Sequence, residues 1–330
     1  MRSKRRRGKL KTRRERAAFA AMMRINTTLD AARLPLTADL LPLYGIIQRW
    51  HYRRLGTISR IRRATTYNQR IHWLMLFDQD PRKTRLSDKL LVKDAVVDIL
   101  GEDFVVPVLQ EADSFDDLRF ESLPSAFVLK TNHDSGGVEV VRDAATWDRD
   151  RSREFFRARL AKPYGLEKGE WQYRDIERRV FVEEYLDEGT NAQPDDFKFH
   201  CVDGEVRFVQ HLRKRVTGRV ETVLDVDGEE LDIHFSAQLG RAGREPLPKN
   251  WPQMVEAAKL LSRGFKYVRV DLYSIRGQTL VGELSFTPKA GCYRGRGQEQ
   301  LGALIDFDTM HGPVVRAAFA DSSPVVSPGL

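Results

Sequence analysis

The stretch Tyr267-Val-Arg-Val-Asp-Leu-Tyr-Ser-Ile-Arg-Gly-Gln-Thr-Leu-Val-Gly-Glu-Leu-Ser285 decides the fold. Its alternation of apolar and polar residues predicts two strands around Arg276-Gly277-Gln278. On the first strand Tyr267, Arg269, Asp271 and Tyr273 take one face, and Val268, Val270 and Leu272 the other. On the second, Val281, Glu283 and Ser285 share a face. A turn centred on Gly277 sets Asp271 opposite Glu283 and Arg269 opposite Ser285. A two-residue turn would instead put the two acids on opposite faces. Carboxylates facing each other at about 5 Å repel. A divalent cation between them reverses the sign, and Mg2+ suits such a place because it combines a few carboxylates with phosphate oxygens and water. The competing interpretation is a solvated face on which Arg269 neutralises Asp271.

Upstream lie lysines that suit phosphate. Lys130 ends the strand-like run Phe127-Val-Leu-Lys130 and is followed by Asn132, Ser135, Gly136 and Gly137. Such a loop presents backbone N–H groups to an anion while the lysine supplies a point charge. It is not a Walker A loop, since GxxxxGK[ST] is absent. Lys198 stands between Phe197 and Phe199 on another predicted strand. Lys89 opens an amphipathic helix expected over Asp88–Gly101, capped by Ser87 or Asp88 and closed by Gly101. For each lysine an ordinary surface position is the simpler alternative.

The rest of the chain frames these segments. Residues 17–75 read as helices broken at Pro35, Pro42 and Gly56. Phe104 to Leu109 reads as a short strand interrupted by Pro107, and residues 143–179 as helical and highly charged. Arg179-Val-Phe-Val-Glu-Glu-Tyr-Leu186 is a strand that runs into a loop. Asp203-Gly204 and Asp227-Gly228 signal type I′ hairpins, and a helix is expected near 252–264. The class is α+β with mostly antiparallel sheet. The expected division is a tail at 1–16, a helical region at 17–86, a small lobe at 87–182 and a larger lobe at 183–330.

Composition narrows the functional classes. Residues 1–16 hold ten Lys or Arg and one Glu, which leaves 45 basic against 46 acidic residues elsewhere, so the net charge of +8 belongs to the tail. Such a block is a solvated arm, or a contact for an anionic membrane or polyanionic glycan. Nucleic acid is not expected as a partner, because the tail lacks aromatics and the body has no basic excess. Cys201 and Cys292 form no CxxC, and the seven histidines show no ligand spacing. His133, His200 and His211 read as packed or surface residues, and no Ser-His-Asp or Cys-His constellation is evident. Asp225-Val-Asp227 runs into a hairpin turn, which weakens a glycosyltransferase reading. No apolar run approaches the length of a membrane span. The expected location is the cytoplasm, or the periphery of the membrane's inner face.

In order, Asp88-Lys89, Phe127 to Lys130 with its glycine-rich loop, Val182 to Leu186, Asp196-Phe-Lys198, Arg269-Val-Asp271 and Glu283-Leu-Ser285-Phe-Thr-Pro288 resemble the ATP-grasp superfamily. In detail the sequence is similar to the TupA-like ATP-grasp proteins of polysaccharide gene clusters, over roughly residues 67–300. The resemblance implies an ATP-grasp fold, with two α+β lobes gripping ATP. It also implies a carboxylate–amine ligase that works through an acyl phosphate on a polysaccharide precursor. Lys89, Lys130 and Lys198 would meet the phosphates, under a mobile loop of Ser135, Gly136, Gly137 and Val138. Glu183, Glu184, Tyr185 and Leu186 would reach the adenine, and Asp196 the ribose. Asp271, Glu283 and Ser285 would hold Mg2+, or Mn2+ in its place, while Arg269 stabilises the transferring phosphoryl group. Many family members carry Asn where Ser285 stands. Lys289, Arg294 and Arg296 occupy the substrate-side turn. The alternatives are a kinase acting on a sugar or polyol hydroxyl and a non-catalytic nucleotide- or glycan-binding module.

Overall fold

A computed structural model describes residues 36–186, 194–215, 218–236, 239–241 and 246–306, together with 17, 19–21, 23 and 24. The basic tail and Pro35 lie outside the described residues. The first sheet contains β1 (Val108–Ala112), β2 (Phe127–Thr131), β3 (Val138–Val141) and β4 (Val180–Glu184), in the order β1-β4-β2-β3. All its pairings are antiparallel. Strand periodicity divides its residues. Phe127, Leu129, Val180 and Val182 bury against Phe156 of the helix Arg149–Leu160. Val128 and Lys130 therefore face the other way.

The second sheet adds β5 (Asp196–Val202), β6 (Glu205–Arg215), β7 (Gly218–Leu224) and β8 (Glu230–Leu231). Next come β9 (Gly240–Arg241), β10 (Val268–Ile275) and β11 (Gln278–Ser285). Its order is β11-β10-β5-β6-β7-β8, with β9 parallel to β7. Phe197, Phe199, Val268, Val270 and Leu272 pack against Met254, Ala257, Ala258 and Leu261 of the helix Trp251–Ser262. The division of faces expected for the Tyr267–Tyr273 strand is therefore found. On the opposite face, Tyr67 of the helix Tyr67–Phe77 joins Phe208, Phe235, Tyr267 and Tyr293 in a second core. That helix starts with a capping box between Thr66 and Gln69.

Several local expectations are corrected. Pro42 does not break a helix; it lies in the first turn of Leu40–Leu55, where a missing N–H costs nothing. Gly56, at φ +79°, does end that helix. The amphipathic helix is shorter, Leu91–Leu100, but Asp88 Oδ1 still accepts from the Leu90 and Leu91 N–H groups at 2.8 and 3.3 Å. The strand placed at 104–109 begins after Pro107 instead. Of residues 143–179, only Arg149–Leu160 is α-helical; Pro163 and the positive-φ residues Gly165 and Gly169 follow it. Asp203-Gly204 is left-handed at both positions, as a type I′ turn requires, whereas Asp227 is not. The latter turn is organised by Asp225, which accepts from the N–H groups of Asp227 and Glu229.

Candidate active site

The β10–β11 turn comprises two residues, Arg276 and Gly277, with φ of +51° and +82°. From the turn, Ile275 pairs with Gln278 and Leu272 with Val281, and in that register Asp271 would face Gly282. A β-bulge at Asp271/Leu272 takes up Gly282 as the extra residue, so that Asp271 pairs with Glu283 and Arg269 with Ser285. A turn centred on Gly277 is thus corrected, while the pairing it was meant to explain is present. Glycine is needed at 282 because an added Cβ would lie 2.8 Å from the Tyr273 ring.

The neighbouring strand extends both rows. Lys198, Asp271 and Glu283 stand side by side on β5, β10 and β11, with His200, Arg269 and Ser285 in the next row. The Arg269 guanidinium donates to both Asp271 oxygens at 2.6 Å, to Glu283 at 3.1 Å and to Ser285 Oγ at 3.0 Å. Lys198 Nζ is 2.5 Å from Asp271 and 2.6 Å from Asp196. Arg269 does neutralise Asp271, but in a buried setting: Asp271 is 2% exposed. Burial pushes the Asp271 carboxyl up to about 6 against the pull of Arg269 and Lys198. Partial burial would also raise Glu283, whose side chain keeps 38% of its exposure, but Arg269, Lys198 and Lys89 bring it down to about 2. Both acids are therefore ionised at neutral pH.

Between the two sheets lies a cleft of about 210 Å³. Val106, Val128, Val140, Leu186, Leu212 and Val281 give it apolar walls. Lys130, Val138, Glu183, Glu184, Tyr185, Leu186 and Asp196, all singled out in the sequence, border this space. Glu183 is buried and ion-paired to Lys130 and, at 2.8 Å, to Lys93. Burial alone would raise its carboxyl; the two ammonium groups hold it below the usual range.

The glycine-rich loop is cross-braced beside the cleft. Thr131 Oγ1 donates to Asp134 at 2.5 Å, and Arg159 holds Asp134 and the Ser135 carbonyl at 2.6 and 2.7 Å. A Cβ on Gly137 would fall 1.8 Å from Thr131 Oγ1, so the brace requires glycine there. Ser135, Gly136 and Val138 are exposed at the tip. Lys89 Nζ donates to the carbonyls of Thr131, Asn132 and Asp134. Burial lowers its pKa, with Glu283 and Asp134 opposing.

Sequence reasoning missed Lys93, Arg213, Arg219 and Glu170. The first three are surface-type residues until folding places Lys93 on Glu183 and the two arginines on the cleft. Glu170 is buried beneath the loop after β11: its Oε1 accepts from Thr287 Oγ1 at 3.0 Å, and Thr287 in turn accepts from Gln172 at 2.7 Å. Burial pushes the Glu170 carboxyl up to about 7. No local motif marks any of these contacts.

Residues 69–306 match the family model described as TupA-like ATPgrasp, close to the span expected from the resemblance. No curated protein matches the chain. Among solved structures it is similar to a D-alanine–D-alanine ligase from Bacillus anthracis complexed with ATP, at 18% identity over 61% of this chain and 55% of that one, TM-score 0.37. It is also similar to the ATP-grasp ligase PsnB complexed with minimal precursor, at 16% identity over 73% and 67% of the two chains, TM-score 0.39. A RimK domain protein ATP-grasp from Sphaerobacter thermophilus shares 15% identity over 68% of each chain, TM-score 0.36. This chain spans 55% of the length of the Bacillus anthracis enzyme. The family match takes in the cleft, the braced loop and the whole β10–β11 hairpin, and with it the α+β, ATP-grasp fold expected from the sequence: the chain belongs to the TupA-like ATP-grasp family.

Proposed function

We propose that the protein is an ATP-dependent carboxylate–amine ligase. The observation that carries this reading is the meeting of the apolar cleft with the Lys198–Asp271–Glu283 row at one sheet edge: Asp196 borders the cleft and bonds Lys198. ATP would enter with its base between the valine walls, its ribose at Asp196 and its phosphates toward Lys130, Lys198 and the Ser135–Val138 loop tip. A largely apolar slot with a few charged groups at one end suits such a ligand.

Asp271, Glu283 and Ser285 offer only oxygen, which suits a hard cation, and all three bond the single atom Arg269 Nη2, which has to withdraw for an ion to take its place. Asp271 and Glu283 would hold Mg2+, with Ser285 as third ligand. When bound, the ion supplies charge neutralisation for the nucleotide's phosphate oxygens. Arg269 and Lys198 then steady the transferring phosphoryl group, and positioning with electrostatics supplies most of the catalysis.

In this scheme a substrate carboxylate oxygen attacks the terminal phosphorus and ADP leaves. An amine then adds to the acyl carbon, and inorganic phosphate and a proton depart as the amide forms. The acid belongs to a polysaccharide precursor, a context taken from the family resemblance. The test is a screen of ADP release against candidate acids and amines. A ligase releases ADP and phosphate only when both substrates are present. Release with a polyol alone, giving a stable phosphoester, would replace this reading with that of a kinase.

A further inference from the structure

A second cluster lies on the N-terminal helices, apart from the nucleotide cleft. His51 of the helix Leu40–Leu55, His72 of the helix Tyr67–Phe77 and Cys292 are all buried, with one donor atom from each within 4.8 Å of the others. Each imidazole has a hydroxyl on one nitrogen: Thr57 Oγ1 lies 3.2 Å from His51 Nε2, and Ser59 Oγ lies 2.8 Å from His72 Nδ1. His51 Nδ1 is buried with no hydrogen-bond partner among the described residues. His72 Nε2 and Cys292 Sγ converge on one carbonyl, Ala290 O, at 3.1 and 3.3 Å. The chain delivers Cys292 through three consecutive left-handed residues, Lys289, Ala290 and Gly291, and a Cβ on Gly291 would lie 2.7 Å from the His72 ring.

We propose that His51 Nδ1, His72 Nε2 and Cys292 Sγ form a binding site for a thiophilic divalent ion, Zn2+ foremost. Two nitrogens and one sulfur are the donors such an ion prefers, and a hydroxyl on the far nitrogen is the outer contact that orients a ligating histidine. On binding, His72 takes the tautomer with its proton on Nδ1, which then donates to Ser59 Oγ, and Nε2 is left free to ligate. The Cys292 thiol loses its proton to solvent as the ion enters. The fourth position falls to water or to the Ala290 carbonyl. Donors around tetrahedral zinc stand about 3.5 Å apart, so the cluster contracts by about 1 Å. The ion would tie residue 292, and with it the loop after β11, to two helices more than 200 residues earlier in the chain.

The full-length protein, stripped with chelator, is titrated with Co2+ and then with Zn2+. The expected result is one equivalent of Co2+ with a thiolate charge-transfer band and tetrahedral visible bands, both displaced by Zn2+. Cys292→Ser removes the charge-transfer band, and Cys201→Ser keeps it. His51→Asn, which loses a ligand, weakens Zn2+ binding by at least the roughly 10- to 100-fold that follows loss of an outer-shell contact. Absence of the band from the wild-type protein overturns the site, whatever the variants do. So does a band that survives in Cys292→Ser.

Discussion

Asp271 faces Glu283 across a hairpin whose two-residue turn should have set it opposite Gly282; one bulged glycine makes the difference. Gly282→Ala drives a methyl group into the Tyr273 ring, which has to shift into the cleft it borders, at a cost of about 1–3 kcal/mol. Urea unfolding measures the loss.

Glu183 neutralises two half-buried lysines at once. Glu183→Gln leaves Lys93 and Lys130 facing each other without a counter-charge, and should cost about 2–3 kcal/mol. Because these lysines hold the Glu183 carboxyl below its ordinary value, its contribution is complete above the unfolded pKa and disappears as pH falls through the folded one. The wild-type advantage over Glu183→Gln should therefore shrink in acid. A gap of constant size in paired urea titrations would count against this.

Glu170 behaves in the opposite sense. Burial raises it from 4.5 to about 7, so within that window the folded state holds a proton that the unfolded chain has lost, and stability falls as pH rises. Glu170→Gln should be more stable than wild type by about 2 kcal/mol at about pH 8 and nearly equal at about pH 5. Equal differences at both pH values would mean that the carboxyl is not raised.

Gly137→Ala places a methyl group on Thr131 Oγ1, inside the brace formed by Thr131, Asp134 and Arg159. The brace must open, which releases the loop tip at Ser135 and Gly136. Weaker ATP binding is expected together with a stability loss of about 1–3 kcal/mol, read by calorimetric titration and urea unfolding of the same sample.

Much of this arrangement is legible in the sequence because strand periodicity is local. The faces of Tyr267–Tyr273 and of Phe127–Lys130 follow from alternation alone, and the order of the short motifs carries the family. The bulge is not legible, since Gly282 reads equally well as an ordinary strand residue until Tyr273 is seen to cover it. Lys93–Glu183 and Glu170–Thr287 join residues 90 or more positions apart, and nothing nearby in the chain marks them. Residues 143–179 read as helical because charged side chains favour helix, yet Pro163, Gly165 and Gly169 interrupt the run. Likewise, no spacing rule unites His51, His72 and Cys292, which only the packing of two helices under the loop after β11 brings together.

Asp271 and Glu283 are proposed to act together in metal-dependent nucleotide chemistry. The most direct test is Mg2+-dependent ADP release by wild type, Asp271→Ala and Glu283→Gln, each checked for folding by circular dichroism. Glu283→Gln matters because the Glu283 side chain is 38% exposed, so the fold tolerates its replacement more readily than that of the buried Asp271. Both folded variants are expected to lose Mg2+-dependent turnover by at least 100-fold, about 2.7 kcal/mol of transition-state stabilisation. Wild-type turnover in either folded variant, with its Mg2+ dependence intact, would contradict the proposal.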